Sequence, residues 1–193
     1  MSKQVACLVF IISAAFSPFA LAEKAVLAGG CFWCMEKDFE ELEGVTDVIS
    51  GFTGGTARNP TYRGDHTGHY EAVEITYDAD VLSYEDILNH FWINIDPFDA
   101  QGQFCDKGPS YLSAVFVANE AERALAEKTR QAVVERFPDQ TVVTPILPAA
   151  KFYPIKGAEI GHQDFYKKNP VRYAAYRWGC GRDQRLAEIW GPK

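Results

Sequence analysis

Two cysteines, Cys31 and Cys34, form a C-x-x-C pair near the start of the chain, with Phe32 and Trp33 between them. This spacing suits a redox dithiol, half of a zinc site, or a nucleophilic thiol with a second cysteine nearby. Gly30 precedes the pair, and a strand that turns into a helix there would place Cys31 at a helix N-terminus. The free N–H groups and positive dipole end of a helix stabilise a thiolate at such a position. The pattern therefore favours Cys31 as a nucleophile.

A glutamate lies on the apolar side of a later predicted strand. The residues from His69 to Tyr77 alternate, so that Glu71 shares one face with apolar side chains. Burial disfavours the charged form of a carboxyl group and raises its pKa. A carboxylic acid that stays protonated near neutral pH is suited to general-acid catalysis. A strand-end glutamate that reaches solvent fits the pattern equally well, so the alternation leaves both interpretations open.

Aromatic and polar side chains supply the other candidate groups. Phe32 lies on the apolar stripe of the predicted helix, whereas Trp33 is rotated off that stripe by about 100° and is predicted to line an apolar substrate pocket. Tyr62 and Tyr111 lie in irregular segments, where most tyrosines only pack but a phenol can donate to a developing oxyanion. Asp106 precedes Tyr111 in the same segment and could orient a tyrosine or a water molecule.

The hydrophobic pattern predicts the elements that position these groups. Apolar residues at i, i+3, i+7 and i+10 from Phe32 predict a helix after the first short strand. Two consecutive strands without a helix between them argue against a doubly wound sheet. The strand–helix–strand–strand–helix–strand order predicts an α+β two-layer sandwich with a ferredoxin-like core and a C-terminal extension. The predicted strands cover residues 24–28, 45–53, 69–77, 113–118 and 142–147, the later predicted helices cover 84–94, 120–136 and 158–168, and the tail from residue 179 is predicted as a loop with one or two helical turns.

The first 22 residues predict a secretory signal peptide. Lys3 is the only charge before Glu23, an apolar run follows it, and the small-residue pattern ending at Ala22 fits a cleavage site. The apolar run is too short to span a membrane. We therefore expect residues 23–193 to form a single catalytic domain that is exported to the periplasm or secreted. N-terminal sequencing of the native protein should then begin at Glu23.

The composition and net charge of the chain argue against some classes of binding partner. The 193 residues include 19 Lys or Arg and 26 Asp or Glu, a net charge of −7 that becomes −8 when the single lysine of the leader is removed. Such a chain is a poor candidate for binding nucleic acid or an anionic membrane surface. Hydrophobic residues make up 47% of the chain, which is enough for a packed core without disulfides. We expect a monomer with no metal.

Four cysteines follow the leader: Cys31, Cys34, Cys105 and Cys180. In an oxidising compartment they would commonly form two structural disulfides, which would suit a binding protein without catalytic activity. A non-enzymatic zinc module is a weaker alternative, because structural zinc sites usually offer a second close cysteine pair. A general thiol–disulfide oxidoreductase that uses Cys31 and Cys34 is a further alternative.

Four segments together carry a family resemblance. They read GGCFWCMEKDFEELEGV, GGTARNPTY, GHYEAVEITYD and CDKGPSYLSAVF, and their order and spacing resemble those of the A-type peptide-methionine sulfoxide reductases. The similarity runs from about residue 24 to residue 170. The Gly-Cys-Phe-Trp motif is highly specific when Gly-His-x-Glu follows about 40 residues later, as it does in this chain.

The resemblance implies a role for each candidate residue. Cys31 matches the nucleophile that attacks the sulfoxide sulfur, and Glu71 matches the acid that protonates the sulfoxide oxygen. Tyr62 and Tyr111 match phenols that hydrogen-bond the same oxygen. The residues implied in substrate binding are Phe32 and Trp33, which form the pocket for the methyl group, and Asp106, which helps to organise the site.

The resemblance also implies the substrate and the redox cycle. The substrate is methionine-(S)-sulfoxide, free or in oxidised proteins, so the activity repairs oxidative damage. Methionine leaves and the nucleophile becomes a sulfenic acid. A second thiol condenses with the sulfenic acid, and an external thioredoxin-like dithiol reduces the resulting disulfide. No bound cofactor is expected.

Three departures from the common family pattern affect this cycle. Cys34 stands where a glycine is frequent, Ala174 stands where a recycling cysteine often lies, and Leu112 replaces a usual arginine. The second thiol could therefore be Cys34, Cys105 or Cys180. We favour Cys180, because glycines on both sides of it suit a segment that moves after the chemical step.

Overall fold

The computed structural model describes residues 22–192, so nearly all of the predicted leader lies outside the described residues. The strands are β1 Ala22–Gly29, β2 Val45–Thr53, β3 Tyr70–Asp78, β4 Gly102–Gln103, β5 Asp106–Lys107, β6 Ser113–Val117, β7 Ile146–Pro148 and β8 Tyr153–Pro154. The α-helices are α1 Phe32–Glu40, α2 Tyr84–Trp92, α3 Glu120–Arg136, α4 Phe165–Lys168, α5 Pro170–Gly179 and α6 Arg182–Trp190. Short 3-10 helices cover Pro109–Tyr111 and Gly157–His162.

Six strands form the main sheet in the order β7-β6-β1-β3-β2-β8. Its four central strands, β6, β1, β3 and β2, are each antiparallel to the next, and β1 lies between β6 and β3. This is the order that two crossed strand–helix–strand units produce in a ferredoxin-like core. The predicted α+β sandwich is therefore confirmed, and β4 with β5 forms a separate two-stranded hairpin.

The first helix, α1, packs against the sheet through the predicted apolar stripe. Phe32, Met35 and Phe39 are fully buried, as their spacing on one helical face requires. Gly44 follows the helix with a φ of 93°, a conformation that glycine adopts at little cost. The stripe fixes the rotation of α1, and it thereby fixes the direction of the side chains at its N-terminal end.

The two following helices start at the predicted positions, and each begins with an N-cap side chain. The Ser83 hydroxyl accepts a hydrogen bond from the Asp86 N–H and the Asp86 carboxylate accepts one from the Ser83 N–H, which together form a capping box at the start of α2. The Asn119 side chain caps α3 in the same way, accepting from the Glu122 N–H. None of the described helices is both long enough and apolar enough to cross a membrane.

The C-terminal third differs most from the sequence-based prediction. The predicted strand at 142–147 is reduced to β7, which pairs parallel with β6. The predicted helix at 158–168 divides into a 3-10 helix and α4, the unpredicted helix α5 follows, and most of the tail that was predicted as a loop with one or two helical turns is the helix α6. Pro170 at the first position of α5 explains the break after α4, because proline begins helices readily and interrupts them.

The segment around Cys180 is held in place by the core. Cys180 caps α5, and Gly181, with a φ of 69°, separates it from α6. Arg182 at the start of α6 is 2% exposed and donates to the Gly29 and Asn94 carbonyls. The picture of a glycine-flanked mobile tail is therefore wrong for this structure, because the buried guanidinium anchors the segment.

Candidate active site

Cys31 lies at the junction between β1 and α1. It is the N-cap residue of α1, its carbonyl accepts from the N–H groups of Cys34 and Met35, and it is 6% exposed. The chain reaches it through Gly30, which has a φ of 82°. A Cβ on Gly30 would lie 2.5 Å from Cβ of Gln103, so the hairpin loop packs directly against the strand-to-helix turn. The predicted position of Cys31 is confirmed.

Glu71 faces the same turn from β3. It is 2% exposed, on the buried face that the strand alternation predicts, and its Oε2 accepts from the Phe32 N–H at 3.1 Å. Burial raises the pKa of Glu71 to about 8, against the lowering effect of the Phe32 hydrogen bond and with further raising by the charges of Asp106 and Cys34. The interpretation of Glu71 as a solvent-exposed strand end is wrong, and the carboxyl group is protonated near neutral pH.

Two tyrosines surround these groups. Burial raises the pKa of Tyr62 to about 12, and nearby negative charge on Glu71 and Cys31 would raise it further. The pKa of Tyr111 is also raised by burial and then by the charges of Glu71 and Tyr62. Both phenols therefore keep their protons at neutral pH and are hydrogen-bond donors near Cys31 and Glu71.

Phe32 and Trp33 lie in an aromatic cluster above the sheet. Phe32 is fully buried and stacks on Tyr62 with ring centroids 5.9 Å apart. Trp33 is 9% exposed and stacks on Phe165 at 3.8 Å and on His162 at 5.5 Å. The predicted apolar environment beside Cys31 is thus present, and part of it is built by the C-terminal segment.

Two polar atoms of this cluster have no protein partner among the described residues. They are the buried Nε1 of Trp33 and Nδ1 of His162. A buried polar atom without a hydrogen bond costs on the order of 1–3 kcal/mol. The two rings stack on each other with centroids 5.5 Å apart, so both unsatisfied atoms belong to the same aromatic cluster beside Cys31.

The two thiols of the C-x-x-C pair hydrogen-bond each other and titrate as a pair. Burial raises the pKa of Cys31, and the neighbouring Cys34 and Glu71 raise it further. The pKa of Cys34 is lowered to about 7 by the hydrogen bond from Cys31, with burial opposing and the charges of Arg182 and Arg177 assisting. In this state the pKa of Cys31 is therefore raised, with burial as the largest cause.

The other two cysteines form a disulfide. Cys105 and Cys180 are joined with Cα atoms 4.9 Å apart, whereas Cys31 and Cys34 are free thiols. Asp106 lies beside this disulfide, with its Oδ2 3.9 Å from Sγ of Cys180. In this oxidation state the thiol that can reach Cys31 directly is Cys34.

Within residues 22–192, two groups of side chains have the composition of a metal site. One consists of Cys105, Asp106 and Cys180, but the disulfide removes the two thiolates that would bind a metal. The other consists of Glu36, Glu40 and Asp164. Glu36 already accepts hydrogen bonds from Ser50, Gln163 and the Asp164 N–H. Neither group offers a set of free ligands in this state.

Three residues at the site were missed in the sequence. His162 and Phe165 complete the aromatic cluster, and Tyr176 lies on α5 with its hydroxyl bonded to Asp106. The one available signal for Tyr176 was its position four residues before Cys180, which is one helical turn. That signal required α5 to be predicted as a helix.

Comparison with known proteins gives consistent matches. The family model described as peptide methionine sulfoxide reductase matches residues 23–193. The chain is 52% identical over 172 residues to peptide methionine sulfoxide reductase MsrA 2 of Caulobacter vibrioides, covering 88% of this chain and 86% of that protein. It is 49% identical to MsrA of Bacillus subtilis, covering 89% of this chain and 97% of that protein.

Solved structures agree in fold. Methionine sulfoxide reductase A of Corynebacterium diphtheriae superposes with a TM-score of 0.67 at 31% identity, covering 78% of this chain and 76% of that chain. The reduced form of Mxr1 from Saccharomyces cerevisiae superposes with a TM-score of 0.69 at 22% identity, covering 82% of this chain and 91% of that chain. The second of these similarities concerns the fold alone.

Proposed function

The chain belongs to the peptide methionine sulfoxide reductase family, and from this premise we propose how its side chains perform the reduction. The enzyme converts methionine sulfoxide to methionine. The observation that carries the proposal is the position of the buried Cys31 beside a carboxyl group, Glu71, whose pKa is about 8. We assign the (S) epimer as the substrate, free or in oxidised proteins, and repair of oxidised methionine as the role.

Glu71 and the two phenols activate the sulfoxide. A sulfoxide sulfur is a poor electrophile until its oxygen is protonated or hydrogen-bonded. Glu71 holds a proton near neutral pH, and Tyr62 and Tyr111 are donors that strengthen as charge develops on the oxygen. Because the site is buried, these hydrogen bonds act without competition from water.

Cys31 is the nucleophile. Its sulfur attacks the sulfoxide sulfur while the oxygen takes a proton from Glu71. The oxygen is then transferred to the Cys31 sulfur, which becomes a sulfenic acid, and methionine departs with the two electrons that the thiol has lost. The thiol proton leaves Cys31 when the thiolate forms, and one proton returns to the Glu71 carboxylate after methionine has departed, so the atoms and charges balance.

The aromatic cluster binds the substrate beside Cys31. Phe32 and Trp33 offer an apolar surface to the methyl group on sulfur, and Asp106 lies at the edge of the site. The unpartnered atoms of Trp33 and His162 suit the polar main chain of the methionine residue. A thioether without the sulfoxide oxygen would leave the donors of Glu71 and the phenols unpaired, which favours release of the product.

We propose that the sulfenic acid is removed in two steps. Cys34, the adjacent free thiol, condenses with the Cys31 sulfenic acid and releases water. A reduced Cys105–Cys180 pair then exchanges with the Cys31–Cys34 disulfide. The Cys105–Cys180 disulfide and the free thiols of Cys31 and Cys34 support this order, because they are the pairing that the exchange would leave. Cys180, which the sequence favoured, thus acts as part of the second pair.

Trapping experiments distinguish the order of these steps. Fully reduced enzyme treated with one equivalent of sulfoxide should yield a Cys105–Cys180 disulfide, and the Cys180→Ser variant should stop at Cys31–Cys34. Peptide mapping by mass spectrometry reads both linkages. A direct Cys31–Cys180 disulfide in the trapped wild-type protein would show that Cys180 reacts first and would contradict the proposed order.

We further propose an external thioredoxin-like dithiol as the reductant of the Cys105–Cys180 disulfide. Cys105 is exposed, which gives an attacking thiolate access to this bond. We also propose that the leader, residues 1–22, exports the enzyme to the periplasm or medium. The reductant would then have to be present in the same compartment.

An assay with separated epimers tests the function. With dithiothreitol as reductant, the enzyme should reduce methionine-(S)-sulfoxide and leave methionine-(R)-sulfoxide unchanged. Release of methionine is measured by chromatography. Reduction of insulin disulfides without turnover of either epimer would instead indicate a general thiol–disulfide oxidoreductase.

A further inference from the structure

The hydroxyl of Tyr176 lies between the reacting sulfur and a carboxylate. It donates a hydrogen bond to Oδ2 of Asp106 at 2.5 Å, and it lies close enough to the Cys31 thiol to lower the pKa of that thiol. The ring is held by an edge contact with Trp33, with centroids 5.6 Å apart and planes at 80°. The phenol therefore lies between Cys31 and Asp106, hydrogen-bonded to the carboxylate and near the thiol.

We propose that Tyr176 is a further catalytic residue, which carries the thiol proton of Cys31 to the carboxylate of Asp106. The phenol gives its O–H proton to Oδ2 of Asp106 and takes the S–H proton of Cys31. The products are a Cys31 thiolate, a neutral Asp106 carboxylic acid and an unchanged tyrosine. The inference rests on the proposed function, since the thiolate formed is the nucleophile of that reaction.

Because the phenol has a single O–H proton, its proton transfer to Asp106 and its uptake of the Cys31 proton must occur together. While Asp106 is charged, the Tyr176 hydrogen atom points to it and only the oxygen lone pair faces the Cys31 S–H group. Once Asp106 has accepted the proton, the phenol is free to donate to the new thiolate. The charge-assisted hydrogen bond from Tyr176 to Asp106 is thus replaced by one from Tyr176 to the Cys31 thiolate. This replacement limits the free-energy cost of moving the negative charge from Asp106 to Cys31.

The surroundings of Cys31 explain why a relay is needed. The sulfur is desolvated, and burial raises its pKa. The titratable groups that face it are Cys34 from α1, Glu71 from β3, and the phenols of Tyr62 and Tyr111 from the loops. Glu71 must keep its proton for the sulfoxide, so it cannot also serve as the base. Asp106 is the remaining carboxylate, and it reaches Cys31 through Tyr176.

Both ends of the relay are tied to the second cysteine pair. The Tyr176 carbonyl accepts from the Cys180 N–H at 2.8 Å, and Asp106 follows Cys105 directly in the chain. The Cys105–Cys180 disulfide therefore fixes α5 against the hairpin that carries Asp106.

The rate of Cys31 alkylation measures thiolate formation without any substrate. Tyr176→Phe keeps the ring contact with Trp33 and removes the hydroxyl. We expect its alkylation curve against pH to move to higher pH, with a rate at pH 7 about tenfold lower and an unchanged limiting rate at high pH. Sulfoxide reduction at pH 7 should fall about 10²-fold. Iodoacetamide is the probe, and tandem mass spectrometry assigns the adduct to Cys31 or Cys34.

The alkylation experiment includes two further variants, Asp106→Asn and Tyr166→Phe. Asp106→Asn should move the alkylation curve in the same direction, and the double variant with Tyr176→Phe should move it no further, because both changes break one path. Tyr166, whose phenol is bonded to Glu40, is the matched control, and Tyr166→Phe should leave the curve in place.

Two results would overturn the relay. One is a Tyr176→Phe curve that superimposes on that of the wild type. The other is an equal fall in rate at every pH without displacement of the curve, which would assign Tyr176 a packing role. Either result would leave the proposed function intact, whereas a wild-type protein inactive on both sulfoxide epimers would contradict that function and not the relay.

Discussion

Replacement of Cys31 by serine should abolish sulfoxide reduction. A serine hydroxyl is a far weaker nucleophile than a thiol and cannot form the sulfenic acid that stores the transferred oxygen. Loss of a nucleophile in other enzymes lowers turnover by on the order of 10⁶-fold, so the residual rate should lie below detection. Methionine release in a single turnover measures the effect directly.

The matched control for this experiment is Cys34→Ser. Cys34 lies on the same helix and is equally buried, but the proposed mechanism uses it only after methionine has left. The control variant should therefore release one equivalent of methionine and then stop. Sulfoxide reduction by Cys31→Ser at the wild-type rate would rule out Cys31 as the nucleophile.

Glu71→Gln should lower kcat/KM by about 10²–10⁴-fold, the usual contribution of a positioned general acid. The amide keeps the shape of the side chain and still accepts from the Phe32 N–H, so the helix end is preserved. What is lost is the proton for the sulfoxide oxygen. Equal activity of E71Q and the wild type would contradict the assignment.

The pH dependence of kcat/KM gives a second test of the role of Glu71. The acid form of Glu71 is the active form, and its pKa is raised to about 8 by burial. Wild-type kcat/KM should therefore fall as pH rises through about 8, and this alkaline fall should be missing in E71Q. Glu36→Gln is the control, because burial also raises the pKa of Glu36 to about 7 but its partners are Ser50 and Gln163. It should leave the alkaline fall in place.

Local periodicity made several features predictable. The helical stripe from Phe32 placed Cys31 at the start of a helix, and the strand alternation placed Glu71 on a buried face. Both follow from the geometry of one element, in which the direction of each side chain is set by its position in the chain. The order of strands and helices was sufficient for the ferredoxin-like core, because few topologies accommodate it.

The C-terminal third could not be predicted in the same way. The sequence after residue 142 has short elements broken by proline and glycine, and its helices are fixed by tertiary contacts such as those of the buried Arg182. The expected mobility of Cys180 was inferred from its flanking glycines alone. Gly181 instead allows a turn between two packed helices.

The sequence by itself determined the family and predicted the nucleophile and the acid, because each is encoded within a short motif. Only the tertiary structure decided the pairing of Cys105 with Cys180 and the position of Tyr176 beside Asp106, residues that lie about 70 positions apart. Such contacts depend on how whole helices and strands pack, and the local periodicity of the sequence does not predict them. The raised pKa of Cys31 was also decided at this level, since its largest cause is burial and burial is a property of the assembled fold.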